Sequence, residues 1–223
     1  MCEIKNSKRV ELSDRVRFRC MRCAACCRHV ENSVVIEVKD AFYLAKHLGI
    51  SVVDFYTTYT NMLTLENTGF PIFFLKTVGK DKSCIFLNAK RCSVHDVKPR
   101  TCKMYPFWVA PDDDGKTLSY NFSTERRHHP RGSLVKVKDW MQEYLSGEDK
   151  DFILEDARSV MQIARPFRIL YDNLKDPEDI QKRVLMYRHF FYDTNEPFME
   201  QFCRNNRVLE EELERIINKF TSI

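Results

Sequence analysis

Cysteine is the residue that most constrains what this chain can be. Its 223 residues include nine cysteines, and seven of the nine fall into two short clusters. The first cluster holds Cys20, Cys23, Cys26 and Cys27, and the second holds Cys84, Cys92 and Cys102. Because structural disulfides are rare in a reducing compartment, such clusters predict a metal site or a reactive thiol. Cys2 and Cys203 stand apart and carry no such prediction.

Composition and charge narrow the class of protein. With 43% hydrophobic and 30% charged residues the chain is typical of a folded domain, which excludes the disordered and collagen-like classes. Residues 1–9 are polar and do not resemble a secretory signal, so we expect a cytoplasmic protein. The longest apolar runs, such as 70–75, are too short for a membrane span, and the small excess of 36 Lys and Arg over 32 Asp and Glu does not predict a nucleic-acid partner.

The spacing of the first cluster predicts convergent sulfurs. Thiolates are soft ligands for zinc, copper(I) and iron–sulfur clusters, and a C-x2-C loop can bring two sulfurs to one ion. Cys20-x2-Cys23-x2-Cys26 overlaps two such pairs. Bacterial ferredoxins share this spacing but continue with x3-Cys-Pro, which does not follow here. Since side chains of adjacent residues diverge, we expect Cys27 to serve a second site or a second atom of a polynuclear centre.

The second cluster supplies further ligands. Its C-x7-C-x9-C spacing matches no single zinc finger. Seven thiolates would take the formal net charge from +4 to −3, which a fold tolerates only with metal cations or positive side chains nearby. Basic residues flank the cysteines, although each taken alone is equally well explained as a solvated surface charge: Arg19, Arg22, Arg28, Arg91, Arg100 and Lys103. Buried structural thiols are the alternative reading, and they explain the clustering poorly.

The hydrophobic pattern predicts an α+β fold in which the predicted secondary structure changes near residue 132. Strand signals vanish beyond that point, and apolar residues recur at helical spacing. We therefore expect a cysteine-rich metal-binding domain over 1–132 and a helical region packed on it over 133–223. The local predictions are a strand over 34–38, helices beginning at Asp40 and Ser51, a hairpin of 108–110 with 117–122, and a helix ending near Pro166.

Four blocks in this chain resemble the CxxCxxCC family of zinc- or iron-chelating proteins. They are Phe18-Arg19-Cys20-x2-Cys23-Ala24-Ala25-Cys26-Cys27, Cys84-Ile85-Phe86-Leu87, Cys92-Ser93-Val94-His95, and Lys98-Pro99-Arg100-Thr101-Cys102-Lys103-Met104-Tyr105-Pro106-Phe107. The blocks occur in the family's order and span about residues 18–132. The resemblance therefore implies that the seven clustered cysteines hold a metal centre.

The chain departs from the family pattern at a few positions. Ala24 stands where the family usually has glycine, His95 where it has tyrosine, and Lys98 where it has arginine. A later Cys-Pro-Gly-like segment of the family is replaced here by 128–132, so the resemblance makes His129 a candidate for the lost cysteine ligand. His95, three residues after a cysteine, is a weaker candidate for a ligand.

The resemblance also carries functional expectations. It implies a cysteine-held centre, iron–sulfur or zinc, in cytosolic bacterial and archaeal proteins. In one branch it implies a link to lysine N-methylation of flagellin with S-adenosylmethionine. The chain has only 6 glycines and shows no glycine-rich methyltransferase loop, so methyl transfer rests on the resemblance alone.

Two functions remain open at this point. The first is a metalloprotein whose centre, iron–sulfur in preference to zinc, supports an oxidoreductase-like or protein-modifying reaction on a protein substrate. Seven soft ligands exceed what one structural zinc needs, which favours a polynuclear centre. The second is a non-catalytic module in which structural zinc holds the first half and the helices bind a partner protein. A structural zinc supplies about 10–16 kcal/mol of folding free energy, enough to explain the cysteines without catalysis.

Overall fold

The structure is a computed structural model that describes residues 7–18, 20, 22–65, 69–112, 114–124, 133–173 and 177–221. Its strands are β1 Ser7–Val10, β2 Arg15–Arg17, β3 Thr60–Thr64, β4 Pro71–Leu75, β5 Thr77–Val78, β6 Ser83–Cys84, β7 Leu87–Asn88, β8 Arg91–Cys92, β9 Phe107–Pro111, β10 Leu118–Ser123 and β11 Leu134–Lys136. Its helices are α1 Val38–Leu48, α2 Val52–Tyr59, α3 Arg100–Met104, α4 Val137–Tyr144, α5 Gly147–Asn173, α6 Pro177–Val184 and α7 Phe198–Thr221. Strands dominate the N-terminal part and helices the C-terminal part, which confirms the α+β class.

The chain forms two compact units, and each is built from two separate segments of the sequence. One comprises Met1–Val34 with Lys76–Leu154, and we call it the cysteine unit because it contains both clusters. The other comprises Val35–Leu75 with Glu155–Ile223, and we call it the helical unit. Each unit thus combines segments from both sides of residue 132. A division into domains at that residue stays a prediction.

The main sheet of the cysteine unit is antiparallel, with strand order β1-β10-β9. The predicted hairpin is confirmed as β9 and β10. Its turn is held by the Asp114 carboxylate, which accepts hydrogen bonds from the backbone N–H groups of Lys116 and Thr117 at 2.8 and 3.0 Å. Phe107 and Phe122 pair across the two strands and are buried. The α3 helix, which carries Cys102, packs against strand β9 of this sheet.

One two-stranded sheet includes a strand that lies beyond the expected end of the strand-rich part. Strand β11 pairs antiparallel with β2, and the backbone N–H of Phe18 donates to the Ser133 carbonyl at 3.1 Å. The prediction that strands end near residue 132 is therefore wrong by one short strand. Its three residues are too few for a periodic signal, and the strand is defined only by its partner.

The helical unit confirms several local predictions and corrects others. The Ser51 side chain caps α2 by accepting from the Asp54 N–H at 3.0 Å, and Gly49 ends α1 with a φ of 68°. The expected strand over 34–38 is wrong: only Val35 makes an isolated bridge, to Phe74, and α1 already begins at the last of these residues. Helix α1 begins at Val38, after the N-cap residue Glu37, which makes no side-chain cap hydrogen bond. The expected start at Asp40 is therefore two residues late, and Asp40 lies in the first turn.

Helix α5 continues past Pro166 to Asn173, so the expected end near this proline is also wrong. A proline inside a helix removes one hydrogen bond and costs about 3 kcal/mol. The residues that follow compensate, because Phe167 and Leu170 are buried in a core cluster with residues of α6 and α7. Tertiary packing therefore overrides the local stop signal.

A buried arginine connects three elements of the helical unit. Arg188 lies in a π-helical stretch, Leu185–Phe190, and is 5% exposed. Its guanidinium donates to Asp156 and Ser159 of α5 and to Asn206 of α7. Beside it, burial lowers the pKa of His189 to about 3, so the ring is neutral where it contacts the Tyr56 hydroxyl at 3.1 Å.

Within the described residues, no helix is both long and apolar enough to span a membrane.

Candidate metal centre

The first cysteine cluster lies on a loop with one short helical turn. Cys20, Cys23 and Cys26 are exposed and Cys27 is half-buried. A 3-10 turn, Ala25–Cys27, carries the last two sulfurs, and the Cys27 N–H donates to the Ala24 carbonyl at 3.1 Å. Ala24 is buried and has a φ of 59°, in the left-handed region that glycine adopts most readily. This conformation explains why the family pattern has glycine at the same position.

The turn brings two adjacent sulfurs together. The Sγ atoms of Cys26 and Cys27 lie 4.0 Å apart. Two sulfurs bound at about 2.3 Å to one tetrahedral zinc lie about 3.8 Å apart, so the observed separation is close to that of ligands sharing one ion. The expectation that these adjacent side chains diverge is therefore wrong. Adjacent residues of a 3-10 turn are about 120° apart around its axis, so the side-chain torsions of the two cysteines, and not the turn alone, bring the sulfurs to this distance.

The second cluster is carried by three separate short elements. Cys84 lies opposite Thr77 in the β5–β6 hairpin, and Cys92 lies opposite Leu87 in the β7–β8 hairpin. Cys102 lies in α3, where its N–H donates to the Pro99 carbonyl at 2.8 Å. The Cys84 side chain is buried, and the other two are half-buried. The short hairpins thus direct their cysteines inwards, although each strand has only two residues.

The thiols of the two clusters share one region. The pKa of Cys27 is raised, first by its hydrogen bond with Cys26, then by burial and by the charges of Cys26, Cys102 and Cys84. Burial raises the pKa of Cys84, with smaller contributions from Cys92 and Cys26. Burial likewise raises the pKa of Cys92, again with a contribution from Cys26. Five of the seven predicted ligands therefore lie close enough to affect one another's ionisation.

One of these thiols is already suited to bind a cation. The hydrogen bond from Cys27 lowers the pKa of Cys26 to about 6, and the positive charge of Lys98 acts in the same direction. The Cys26–Cys27 hydrogen bond, in which either sulfur can be the donor, thus favours a thiolate within this pair. Lys98 was not among the basic residues expected near the cysteines, although the family resemblance marks its position as basic.

The remaining predicted ligands are less closely connected. Cys20 lies near Tyr144 of α4: the Glu143 hydrogen bond is the largest cause that raises the pKa of Tyr144 to about 12, and the Cys20 charge adds to it. Cys23 is exposed and shows no comparable interaction. His95 is exposed beside Asp96, and its Nδ1 lies 3.6 Å from that carboxylate. His129 lies outside the described residues.

The sulfurs share a region without forming a finished coordination shell. Across the described ranges, no group of three or more Cys, His, Asp or Glu side chains is already spaced to hold a metal ion. The electrostatic influence of one thiolate on another extends further than a metal–ligand bond, so these thiols can affect one another's pKa without being spaced as ligands of one ion. The donor set itself fits zinc or iron, because both metals are held by thiolates in proteins.

Two structural supports of this region were not anticipated from the sequence. The Arg28 side chain binds the Asp81 carboxylate, which joins the first cysteine loop to the turn before Cys84. The Trp140 ring packs edge-on against Phe18 with centroids 5.3 Å apart, and its Nε1 donates to the Met104 carbonyl at 3.0 Å. Neither pair of contact partners could be read from the sequence, because the members of each pair lie more than 30 residues apart.

Comparison with known proteins agrees with this geometry. The model of the CxxCxxCC family, described as a putative zinc- or iron-chelating domain, matches residues 19–130, half of the chain. That range contains both cysteine clusters. No solved structure was found to match the chain. On the evidence of this match, the chain belongs to the CxxCxxCC family of zinc- or iron-chelating domains.

Proposed function

We propose that the cysteine unit binds one zinc- or iron-containing centre through Cys26, Cys27, Cys84, Cys92 and Cys102. The observation that carries the proposal is the contact between the two clusters: beyond Cys27, the His29 N–H donates to the Asp81 carbonyl at 2.9 Å and the Val30 N–H to the Lys82 carbonyl at 3.1 Å, just before Cys84. The effect of charge at Cys84 and Cys102 on the pKa of Cys27 agrees with this proximity. Cys20 and Cys23, which precede Cys26 in the same cluster, are further candidate ligands, and His129, outside the described residues, is a candidate from the family resemblance. The supporting chemistry is the preference of both metals for thiolates.

The number of sulfurs favours a polynuclear centre. One tetrahedral zinc needs four ligands, whereas five thiols already share this region, and two more lie in the loop that ends at Cys27. An iron–sulfur cluster, when bound, would supply one-electron transfer, and an oxidoreductase-like or protein-modifying reaction is the corresponding activity. In a reducing cytoplasm the thiols would stay available as ligands. This proposal goes beyond family membership, which supports zinc or iron binding alone.

A specific feature supports a second candidate, a non-catalytic module held by structural zinc that presents a surface to a partner protein. The segment that carries Cys84 and Cys92 consists of two-residue strands, β5 to β8, joined by tight turns. Such short elements have little hydrophobic core of their own. A zinc ion could provide the free energy that fixes them, since structural zinc contributes about 10–16 kcal/mol to folding.

Anaerobic purification followed by metal and sulfide analysis distinguishes the two candidates. A brown protein that contains iron and acid-labile sulfide, and bleaches in air, would support the iron–sulfur centre. A colourless protein with stoichiometric zinc and no iron would support the zinc module instead. If the purified chain held neither metal and took up neither, both candidates would be wrong. Serine variants of the five proposed ligands should lose the metal in the same analysis. Cys203→Ser is their matched control, because this exposed thiol lies in the helical unit.

A further inference from the structure

One carboxylate oxygen joins the two cysteine clusters. Arg28 follows Cys27 directly, and Ser83 directly precedes Cys84. The Arg28 Nη1 donates to the Asp81 Oδ2 at 2.5 Å, and the Ser83 hydroxyl donates to the same oxygen at 2.6 Å. The immediate neighbours of two predicted ligands, one from each cluster, are therefore bound to a single acceptor.

The backbone repeats this connection. The N–H of His29 donates to the Asp81 carbonyl at 2.9 Å, and the N–H of Val30 donates to the Lys82 carbonyl at 3.1 Å. Both His29 and Lys82 have positive φ angles, 55° and 48°, which non-glycine residues adopt only where surrounding contacts hold them. The two segments therefore lie side by side in one defined register.

The Arg28–Asp81 contact is poorly placed to contribute much to stability. Both side chains are about 40% exposed, and ion pairs of this exposure are weak because water and salt screen them. The position of Asp81 is nevertheless specific. Its carboxylate accepts from the Ser83 hydroxyl, and its backbone carbonyl accepts from the N–H of His29, the residue after Arg28. Because the contact adds little stability yet joins two cysteine-bearing loops, its role is better explained as placing the sulfurs of those loops.

We propose that Asp81 is a positioning residue for the metal centre: its carboxylate holds the Cys27 loop and the Cys84 hairpin at a separation that one centre can bind. The inference rests on the proposed function, because it requires thiolates of both clusters to bind the same centre. Asp81 touches no metal in this role. It acts through Arg28 and Ser83 on the sulfurs next to them.

The same two segments contain a matched control. Lys82 and Glu31 form an ion pair of 2.8 Å, with both side chains about half exposed. This pair also connects the first loop to the turn, but neither residue is adjacent to a cysteine. A general effect of removing a surface ion pair would therefore appear in Glu31→Gln as well as in Asp81 variants.

The test is a titration of the reduced, metal-free full chain with Co²⁺, whose visible spectrum reports the number and geometry of bound thiolates, followed by competition with Zn²⁺. Groups that hydrogen-bond metal ligands directly typically change affinity by about 10–100-fold; because Asp81 acts through Arg28 and Ser83 and its ion pair is exposed, we expect a smaller loss of about 3–10-fold for Asp81→Ala. We also expect an altered Co²⁺ spectrum. Asp81→Asn keeps an acceptor oxygen for Ser83 and should lose less affinity. Glu31→Gln should match the wild type in both readouts.

The outcomes separate the two proposals. If the wild type binds Co²⁺ with thiolate bands and both Asp81 variants bind it with the same affinity and spectrum, the positioning role is wrong and the metal-binding function stands. Equal losses in Asp81→Ala and Glu31→Gln would also overturn the positioning role. If the wild type binds neither Co²⁺ nor Zn²⁺ and also contains no iron and sulfide after anaerobic purification, both proposals are wrong. If it contains iron and sulfide but takes up no Co²⁺, the same variants are compared by their iron content, and equal content in all of them overturns the positioning role. Should Asp81→Ala fail to fold, the comparison of Asp81→Asn with Glu31→Gln decides the question.

Discussion

The sulfur atoms of Cys26 and Cys27 lie 4.0 Å apart on a single 3-10 turn, although the two residues are adjacent in the chain. This separation is close to that of two thiolates bound to one ion. Under the proposed function we therefore expect the pair to bind one centre together rather than two separate sites.

Replacement of either member of this pair should remove the whole metal content. We expect Cys26→Ser and Cys27→Ser each to abolish binding, because a serine hydroxyl is a far poorer ligand at neutral pH and the remaining sulfurs would share an incomplete shell. Metal content per chain after anaerobic purification measures this. Cys203→Ser should retain full metal. A variant at Cys27 that keeps part of the metal would instead indicate two separate sites.

The unusual ionisation of Cys26 predicts a pH profile for the metal-free protein. Its pKa of about 6 means that the thiolate persists at neutral pH, so alkylation by iodoacetamide should slow only below pH 6, by about tenfold per pH unit. The Cys27 hydrogen bond is the main cause of the low pKa, so Cys27→Ala should move this transition towards the ordinary value of 9.0. Mass spectrometry of the alkylated peptide gives the rate. An unchanged transition in Cys27→Ala would contradict the assigned cause.

The left-handed conformation of Ala24 predicts an order of tolerance at this position. Because φ is 59°, Ala24→Val should destabilise the cysteine unit by at least about 1 kcal/mol, since a β-branched side chain collides with the backbone there. Ala24→Gly should stay within about 0.5–1 kcal/mol of the wild type, because the relief of strain offsets the added flexibility of the unfolded chain. Chemical denaturation of the metal-free protein measures both. Equal stability of the valine and glycine variants would refute the conformation.

Trp140 should be required for the cysteine unit although it lies beyond residue 132. Its ring contacts Phe18 and Phe107, and its indole N–H donates to the carbonyl at the end of α3, the helix that carries Cys102. Because this side chain is only half-buried, we expect Trp140→Ala to destabilise the protein by about 2–3 kcal/mol, less than for a fully buried tryptophan, and to weaken metal binding. Trp140→Phe keeps most of the packing and should lose about 1 kcal/mol, the value of one hydrogen bond. Thermal melts and Co²⁺ titration test both variants, and wild-type behaviour of Trp140→Ala would contradict the role.

Two glycines of the helical unit form a matched pair for a stability test. Gly49 and Gly69 share a φ of 68°, but a Cβ at Gly49 would have open space, whereas one at Gly69 would lie 2.4 Å from the Tyr171 ring. Gly49→Ala should cost about 1–2 kcal/mol through its backbone conformation alone. Gly69→Ala should cost more, because the ring must also leave its stacked position on Phe167. Denaturation with urea compares them, and equal losses would show that Tyr171 moves freely.

Local features of this protein were predictable from the sequence because neighbouring residues determine them. Ser51 and Gly49 mark a helix start and a helix end through their own hydrogen bonding and backbone freedom. The hairpin of β9 and β10 follows from two alternating runs around an acidic turn. The cysteine spacing and the adjoining blocks were sufficient to indicate the family and its preference for zinc or iron.

The tertiary structure decided what depends on residues far apart in the chain. Pro166 does not end α5 because burial of the following residues outweighs the lost hydrogen bond, and β11 exists only through its pairing with β2. The contact between the Cys27 loop and the turn before Cys84, made by Arg28 and Asp81, likewise joins residues more than 50 positions apart. Periodicity and spacing report a residue's immediate neighbours along the chain. The free energy that brings distant loops together comes from packing and hydrogen bonds that form only in the folded state.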